Sequence, residues 1–192
     1  MTNNVAPVAK KIRKELVIHN DIRVDEYYWM NDREDPEVIA HLEKENSYYV
    51  LAEGHDFFNL GGIAISPDNK LAVFGIDTVS RRQYTVQIKN LETGEVYSDK
   101  IENTTGGAVW ANDNKTMFYS KKDPVTLRSD KIYRHILGTK TEEDQLVFHE
   151  EDETFGTFVY RTKSKKFLVI GSYSTLTSEY RILNADTPYA DF

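Results

Sequence analysis

The sequence predicts a mainly β protein: an incomplete β-propeller of about two and a half to three four-stranded blades, preceded by an N-terminal arm that contains one α-helix. Three observations lead to this fold class. Alternation of apolar and polar residues dominates from about residue 57 onward. A polar turn followed by an apolar strand recurs three times along that stretch. Before residue 50, the periodic pattern is that of a helix. We therefore divide the chain into an arm (1–50) and a propeller part (51–192).

The helix of the arm is predicted over about residues 36–49. Asp35 is suited to cap its first turn, Pro36 fits the first helical position, and Glu37 favours the positive end of the helix dipole. The apolar residues expected to share one face of this helix are Val38, Ile39, Leu42 and Tyr49.

A dense aromatic cluster precedes the helix. Its members, with acidic residues on both sides, are Tyr27, Tyr28, Trp29 and Met30. Because large apolar side chains are normally buried, the cluster raises the question of which surface covers it. The basic run Lys10–Lys14 is interpreted as a solvated segment, since charge runs usually face water.

The propeller part consists of short strands rich in β-branched and aromatic residues, separated by turn residues. Clear strands begin at Tyr84, Lys131, Gln145 and Phe167. The recurring turn reads I-S-P-D-N-K-L-A-V-F-G, V-W-A-N-D-N-K-T-M-F-Y-S and V-Y-R-T-K-S-K-K-F-L-V-I. Asp68, Asp113 and Ser164 occupy the same place in the three copies and lie 45 and 51 residues apart.

A repeat of this length, made of about four strands, is typical of a propeller blade. The predicted blades cover about 57–103, 104–150 and 151–192, and the alternative is a β-sandwich with coincidentally similar turns. Propellers close with about 4–8 blades. So few blades would leave two apolar faces open, and the propeller is therefore expected to be incomplete.

The composition excludes several classes of function. With 24 basic and 31 acidic residues, the chain has a net charge of −7 and no basic excess to neutralise nucleic acid. The absence of cysteine excludes disulfides, thiolate metal sites and cysteine nucleophiles. Because the first residues lack an apolar signal region and the apolar runs are short, we predict a cytoplasmic protein without membrane partners.

No pattern indicates that this chain performs catalysis itself. The G-x-S-x-G motif of a serine hydrolase does not occur, and the acidic runs lack the spacing of a calcium loop. The histidines share no catalytic or metal-binding motif; they are His19, His41, His55, His135 and His149. We therefore predict no catalytic, cofactor-binding or metal-binding residues.

The sequence also suggests roles for a tryptophan and for a pair of arginines in the propeller part. Trp110, at the start of a repeat, is predicted to fill the core between blades rather than to stack on a ligand. The pair Arg81 and Arg82 lies between two predicted strands. It is either a solvated hairpin or a rim contact to a partner domain, and as an exposed dibasic pair it is expected to be cut early by trypsin.

A series of longer motifs runs through almost the whole chain. The arm contains P-V-A-K-K-I, I-H-N-D-I-R-V-D-E-Y-Y-W-M-N-D-R and D-P-E-V-I-A-H-L-E-K-E-N-S-Y. The propeller part contains G-G-I-A-I-S-P-D-N-K, N-L-E-T-G-E and S-T-L-T-S-E-Y-R-I-L. Through these motifs the chain resembles the oligopeptidase B (protease II) branch of the prolyl oligopeptidase family of serine peptidases.

The resemblance implies a two-domain peptidase without a cofactor, in which a seven-bladed propeller caps an α/β-hydrolase domain. Its substrates would be short peptides cut after Arg or Lys, and the propeller would restrict access to the catalytic serine. The chain departs from this pattern in two ways. It stops inside the propeller, before the hydrolase domain that would be its partner, so it is expected to be inactive alone. Near residues 50–53 it joins segments that a longer stretch separates in the family, which we interpret as an internal deletion.

The resemblance also gives the aromatic cluster a role. In the family the N-terminal segment packs on the hydrolase domain, so the candidate docking residues are Tyr27, Tyr28, Trp29 and Met30. We expect Trp29 to be much more exposed than Trp110. The alternative is a non-enzymatic binding or scaffold module that self-associates through its open blade edges.

Overall fold

The structure, a computed structural model, describes residues 7–19, 21–48 and 54–192. It confirms the predicted fold class, which is mainly β with an α-helix in the arm and an incomplete propeller after it. The chain forms two compact units, Met1–His55 and Asp56–Phe192. Tyr49 and the suspected internal deletion near residues 50–53 lie outside the described residues.

The arm begins with a β-hairpin that the sequence analysis did not predict. Strands β1 (Lys14–Ile18) and β2 (Asp21–Asp25) pair in antiparallel register, with Leu16 opposite Arg23. A 3₁₀ turn, Tyr28–Asn31, and helix α1, Pro36–Tyr48, follow. Both strands are largely exposed, so they lack the alternation of buried and exposed positions by which a half-buried strand is recognised.

The start of α1 is as predicted, and the apolar residues expected to share its face differ in burial. Asp35 accepts the Glu37 N–H through Oδ1 at 2.8 Å and the Ile39 N–H through its carbonyl at 3.1 Å. Val38 is buried, whereas Ile39 and Leu42 are largely exposed. A shared helix face with Val38 therefore does not bury Ile39 and Leu42. The described part of the arm is a hairpin and one helix, which is too little structure to cover a whole helix face.

The second unit contains ten strands. They are β3 (Asn59–Ile65), β4 (Leu71–Asp77), β5 (Tyr84–Asn90), β6 (Val96–Trp110), β7 (Thr116–Lys122), β8 (Ser129–Ile136), β9 (Gln145–His149), β10 (Gly156–Arg161), β11 (Phe167–Tyr173) and β12 (Ser178–Asn184). Strands β3 to β9 form one antiparallel sheet in chain order, and β10 to β12 form another. A short 3₁₀ turn, Thr141–Glu143, precedes β9.

The long strand β6 belongs to two blades. Thr104 pairs with Tyr84 of β5 on one side and with Lys121 of β7 on the other. We call β3, β4, β5 and the first half of β6 blade 1, the second half of β6 with β7 to β9 blade 2, and β10 to β12 blade 3. The pairing of β6 with β7 shifts register between Thr104 and Ala108, and this irregularity contains Gly106, which has φ +96° and whose added Cβ would lie 2.7 Å from the Tyr84 ring.

The recurring turns have the same geometry in all three blades. Asp68, Asp113 and Ser164 each accept the backbone N–H of the residue two positions later. The residue that follows each of them has positive φ, namely Asn69 (62°), Asn114 (59°) and Lys165 (61°). The repeat that was read from the sequence is therefore a structural repeat as well.

Two apolar cores separate the three blades. The first lies between blades 1 and 2 and includes Val73, Ile88 and Trp110. The second lies between blades 2 and 3 and includes Phe118, Ile132 and Ile170. Neighbouring residues of β7 serve different cores, because alternate side chains of a strand point to opposite faces. The predicted role of Trp110 is confirmed: it is 1% exposed and its Nε1–H donates to the Ala64 carbonyl at 3.1 Å.

Candidate functional site

The aromatic cluster of the arm surrounds the 3₁₀ turn Tyr28–Asn31. Tyr27 and Tyr28 are 44% and 40% exposed, and Trp29 and Met30 are half-buried. The Tyr27 N–H donates to Asp25 Oδ1 at 2.9 Å, and the Asn31 side chain donates to the Tyr28 carbonyl at 3.0 Å. The backbone of the turn is therefore fixed by local bonds, while the two tyrosine rings retain much of their exposed surface.

Three lysines of the basic run lie over the three rings. Lys10 Nζ is 5.0 Å from the centre of Trp29, Lys11 Nζ is 6.0 Å from Tyr27, and Lys14 Nζ is 5.5 Å from Tyr28. These distances are typical of cation–π contacts. The interpretation of Lys10–Lys14 as a solvated segment is therefore incomplete, because three of its ammonium groups contact the aromatic cluster.

Further polar contacts link these lysines to the rest of the arm. The Trp29 Nε1–H donates to the Lys10 carbonyl at 2.9 Å, and Lys10 forms an ion pair with Glu37 at the start of α1. Lys11 pairs with Glu26 at 2.8 Å, and the hydrogen bond and charge of that carboxylate raise the pKa of Lys11. The hairpin, the turn and the helix thus hold the cluster together mainly through surface contacts.

A cavity of about 340 Å³ lies beside Trp29. Its lining includes Val8, Lys10, Glu37 and His41, and the Trp29 and His41 rings are 6.1 Å apart. The wall thus combines an indole ring with an ammonium group and a carboxylate.

The second candidate pair, Arg81 and Arg82, lies on the loop between β4 and β5. The buried carboxylate of Asp77 accepts backbone N–H groups from Val79 (2.8 Å), Ser80 (3.0 Å) and Arg82 (2.7 Å). Lys122 Nζ donates to the Arg82 carbonyl at 2.6 Å. The main chain of Arg82 is thus bonded on both sides, which argues against the early tryptic cut expected from the sequence, since cleavage requires a loop that can open locally.

The loop between β4 and β5 also carries positive charge. Arg81 and Arg82 are exposed. Burial lowers the pKa of Lys122, and the neighbouring charge of Arg82 lowers it further. The loop belongs to a different compact unit from the aromatic cluster.

The structure brings together a polar group that the sequence analysis missed. His135 lies between the carboxylates of Asp99 and Asp144, and the Tyr119 hydroxyl donates to Asp144 at 2.9 Å. Burial raises the pKa of Tyr119, and Asp144 raises it further. The partners of His135 lie 36 and 9 residues away in sequence, so no short motif could have indicated them.

Within the described ranges, no three His, Cys, Asp or Glu side chains are grouped so that they could hold a metal ion. In the same part of the chain, no helix is long and apolar enough to cross a membrane. The cytoplasmic location stays a prediction.

Comparison with known proteins shows what the chain is similar to. Residues 7–51 and 50–192 match the family described as "Prolyl oligopeptidase, N-terminal beta-propeller domain". Dipeptidyl aminopeptidase BI of Pseudoxanthomonas mexicana is 42% identical over 139 residues, which cover 72% of this chain and 19% of the relative. Protease 2 of Moraxella lacunata is 26% identical over 258 aligned positions, covering 95% of this chain and 37% of the relative.

Solved structures show the same fold. Oligopeptidase B from Leishmania major superposes with a TM-score of 0.67 at 23% identity, covering 95% of this chain and 38% of that one. Oligopeptidase B from Trypanosoma brucei gives a TM-score of 0.64 at 22% identity, covering 94% and 38%. The chain thus spans between about a fifth and two fifths of the length of the proteins it matches.

Proposed function

Because the chain belongs to the prolyl oligopeptidase family through its N-terminal β-propeller domain, we propose that it is the arm and propeller portion of an oligopeptidase B-like serine endopeptidase. In this proposal a hydrolase domain cleaves short peptides after Arg or Lys, and the propeller controls which peptides reach it. The chain alone is inactive, since its sequence contains no G-x-S-x-G motif.

The observation that carries the docking role is the exposure of Tyr27 and Tyr28. Exposed tyrosines that are held by local contacts present apolar surface at little entropic cost, which is typical of residues that bind a protein partner. The lysines above the rings add cationic groups at the same surface. We propose that this surface binds the hydrolase domain and that Arg81 and Arg82 make a charged rim contact.

We also propose that an internal deletion joins the arm to the propeller near residues 50–53. The two stretches that match the family adjoin at residues 50–51. The alignment to Protease 2 has 258 positions, which exceeds the 192 residues of the whole chain, so the relative contains residues that this chain lacks. Sequencing of the encoding DNA around this junction and beyond the reading frame tests the proposal. Independent isolates that all carry the same continuous reading frame at this junction, with no segment removed, would contradict the proposed deletion.

Docking is tested by adding a separately produced hydrolase domain of the Moraxella lacunata Protease 2 to the purified chain and measuring binding calorimetrically. We expect binding by the native chain and a loss of at least about tenfold in affinity for a Tyr27→Ser, Tyr28→Ser double variant, since removal of one aromatic hot spot costs about 2 kcal/mol or more and about 1.4 kcal/mol corresponds to tenfold. Tyr189→Ser, which changes an exposed tyrosine that also lies against a cationic side chain, Arg134, is the matched control. Equal binding by both variants would contradict the proposed surface.

The proposal that the chain alone has no peptidase activity is tested with a chromogenic dipeptide that contains Arg. We expect no turnover by the purified chain. Turnover that stays with the chain through chromatography and resists a serine-reactive inhibitor would contradict the proposal, because it would require a catalytic group within these residues.

The chain is 42% identical to Dipeptidyl aminopeptidase BI and 26% identical to Protease 2 over the aligned residues. The higher identity favours a second candidate for the peptidase class. In this second proposal, the propeller serves a hydrolase domain that removes dipeptides from a free amino terminus. The two candidates differ in their use of substrates with a free or a blocked amino group. In the complex with an added hydrolase domain, strict dependence on a free amino group would favour the dipeptidyl class.

The outer face of blade 3 supports a non-enzymatic alternative, self-association. Phe158 stacks on Tyr160 with ring centres 5.8 Å apart and packs near Tyr173, and Tyr180 and Ile182 on the same blade are exposed. Light scattering at several concentrations tests this alternative. A monomer at all concentrations with a cooperative melt would exclude it, whereas an oligomer that Tyr180→Ser and Ile182→Ser dissociate would favour it.

A further inference from the structure

His135 of β8 is a buried histidine with an acidic partner on each side. Its imidazole is fully buried. Nδ1 lies 2.6 Å from Oδ1 of Asp144, and Nε2 lies 3.2 Å from Oδ2 of Asp99. Both carboxylates are themselves buried. The proposed peptidase function uses none of these three residues.

The geometry of the two contacts favours one charge state of the ring. An ionised carboxylate can only accept hydrogen bonds, and a neutral imidazole has one N–H and one acceptor nitrogen. A neutral ring would therefore turn a lone pair towards one of the two carboxylates. Only the imidazolium form donates to both, so the contacts with Asp99 and Asp144 favour a protonated His135.

The surrounding donors agree with two ionised carboxylates. Asp99 also accepts the Gly138 N–H at 2.7 Å, and Asp144 accepts the Tyr119 hydroxyl at 2.9 Å. The groups that face the ring are thus Asp99 from β6, Asp144 from the segment before β9, and, behind Asp144, Tyr119 from β7. Each carboxylate has a second donor in addition to the ring, which offsets part of the cost of burying its charge.

The three residues come from two blades. Asp99 lies in the first half of β6, which pairs with β5 of blade 1, whereas His135 and Asp144 belong to blade 2. We propose that a protonated His135 is a pH-sensitive clamp that ties the last strand of blade 1 to blade 2 and is released at alkaline pH.

The direction of the pH effect follows from linkage. Burial lowers the pKa of His135, but the hydrogen bonds and charges of Asp144 and then Asp99 outweigh burial, so its pKa lies above the ordinary 6.5. A group whose pKa is raised on folding adds stability that is fully present below pH 6.5 and is lost as the pH rises through its folded value. The clamp therefore weakens at alkaline pH.

The direct test is a nitrogen-15 NMR titration of the histidine side chains in the native chain between pH 6 and pH 10. We expect one imidazole to keep both ring nitrogens protonated above pH 6.5 and to lose a proton only at higher pH. A neutral His135 ring at pH 7, or a midpoint at or below about 6.5, would overturn the proposal. This test needs no variant that could fail to fold.

Variants separate the clamp from a merely structural role. Asp144→Asn should lower the titration midpoint of His135 by about one pH unit or more, because a neighbouring opposite charge shifts a pKa by about 1–3 units. His135→Gln should remove the alkaline decrease in the denaturation midpoint. The control is His19→Asn, which replaces an exposed histidine at φ 51° with a residue that tolerates positive φ. An unchanged alkaline decrease in His135→Gln would contradict the clamp.

Discussion

The arm and the propeller differ in how they treat their apolar residues. Among the described residues, Val38 is the arm's one buried apolar side chain. All other buried apolar side chains of the described residues lie in the propeller part. In the propeller each blade covers the face of the next, so repetition itself creates the core. In the arm, aromatic rings are held at the surface by lysines. The difference indicates that packing between blades stabilises the propeller part, whereas the described part of the arm buries little apolar surface of its own.

The largest expected effect distinguishes the two tryptophans. Trp110→Ala should lower the free energy of unfolding of the propeller by about 3–5 kcal/mol, because it opens a cavity in the core between blades 1 and 2. Trp29→Ala should cost about 1 kcal/mol or less, since its ring is half-buried and its lysine contact is at the surface. Denaturant unfolding measures both. Equal losses would remove the contrast between arm and propeller.

An intermediate effect is expected at the loop that carries Arg81 and Arg82. Asp77→Ala removes the acceptor of three backbone N–H groups and should cost about 1–3 kcal/mol. It should also make this loop the first site of tryptic cleavage, whereas the native loop should resist. Limited proteolysis with mass spectrometry identifies the cut.

The matched control for this loop is Asp123→Ala. Asp123 accepts the N–H groups of Val125 and Thr126 in the corresponding loop of blade 2. Its removal should leave cleavage at Arg81 and Arg82 unchanged. Rapid cleavage there in the native chain would show that the bonds of Asp77 and Lys122 do not hold the loop.

The smallest expected effect concerns the lysines of the arm. Lys14→Gln removes the cation above Tyr28 and should lower the stability of the arm by about 0.5–1 kcal/mol. Lys163→Gln, in an exposed turn of blade 3, is the control and should have no measurable effect on the arm. Thermal melting followed through tyrosine fluorescence compares the two. A loss of several kcal/mol would mean that the arm depends on this contact far more than a surface pair allows.

The sequence was sufficient for features that depend on local chemistry. The Asp35 cap, the three turns around Asp68, Asp113 and Ser164, and the strand beginning at Tyr84 all follow from short-range rules and are present as predicted. The place of Trp110 could also be predicted, because its position in the repeat puts it at a boundary between blades.

The remaining features depend on contacts that sequence spacing does not reveal. Strands β1 and β2 are exposed, so burial leaves no alternating pattern by which to recognise them. Ile39 and Leu42 look like core residues but have too little structure to pack against. Lys10 lies 19 residues before Trp29, and Asp99 lies 36 residues before His135. Such pairs form only when the chain folds, and their residue types are also common on solvated surfaces.

The most direct test of the contrast between arm and propeller is acrylamide quenching of single-tryptophan variants. Trp110→Phe leaves Trp29 as the only emitter, and Trp29→Phe leaves Trp110. The account predicts a Stern–Volmer constant for Trp29 that is several times that of Trp110, because the first ring is half-buried and the second is 1% exposed. Equal protection of the two rings would contradict the account, since it would mean that the arm has already covered its aromatic surface.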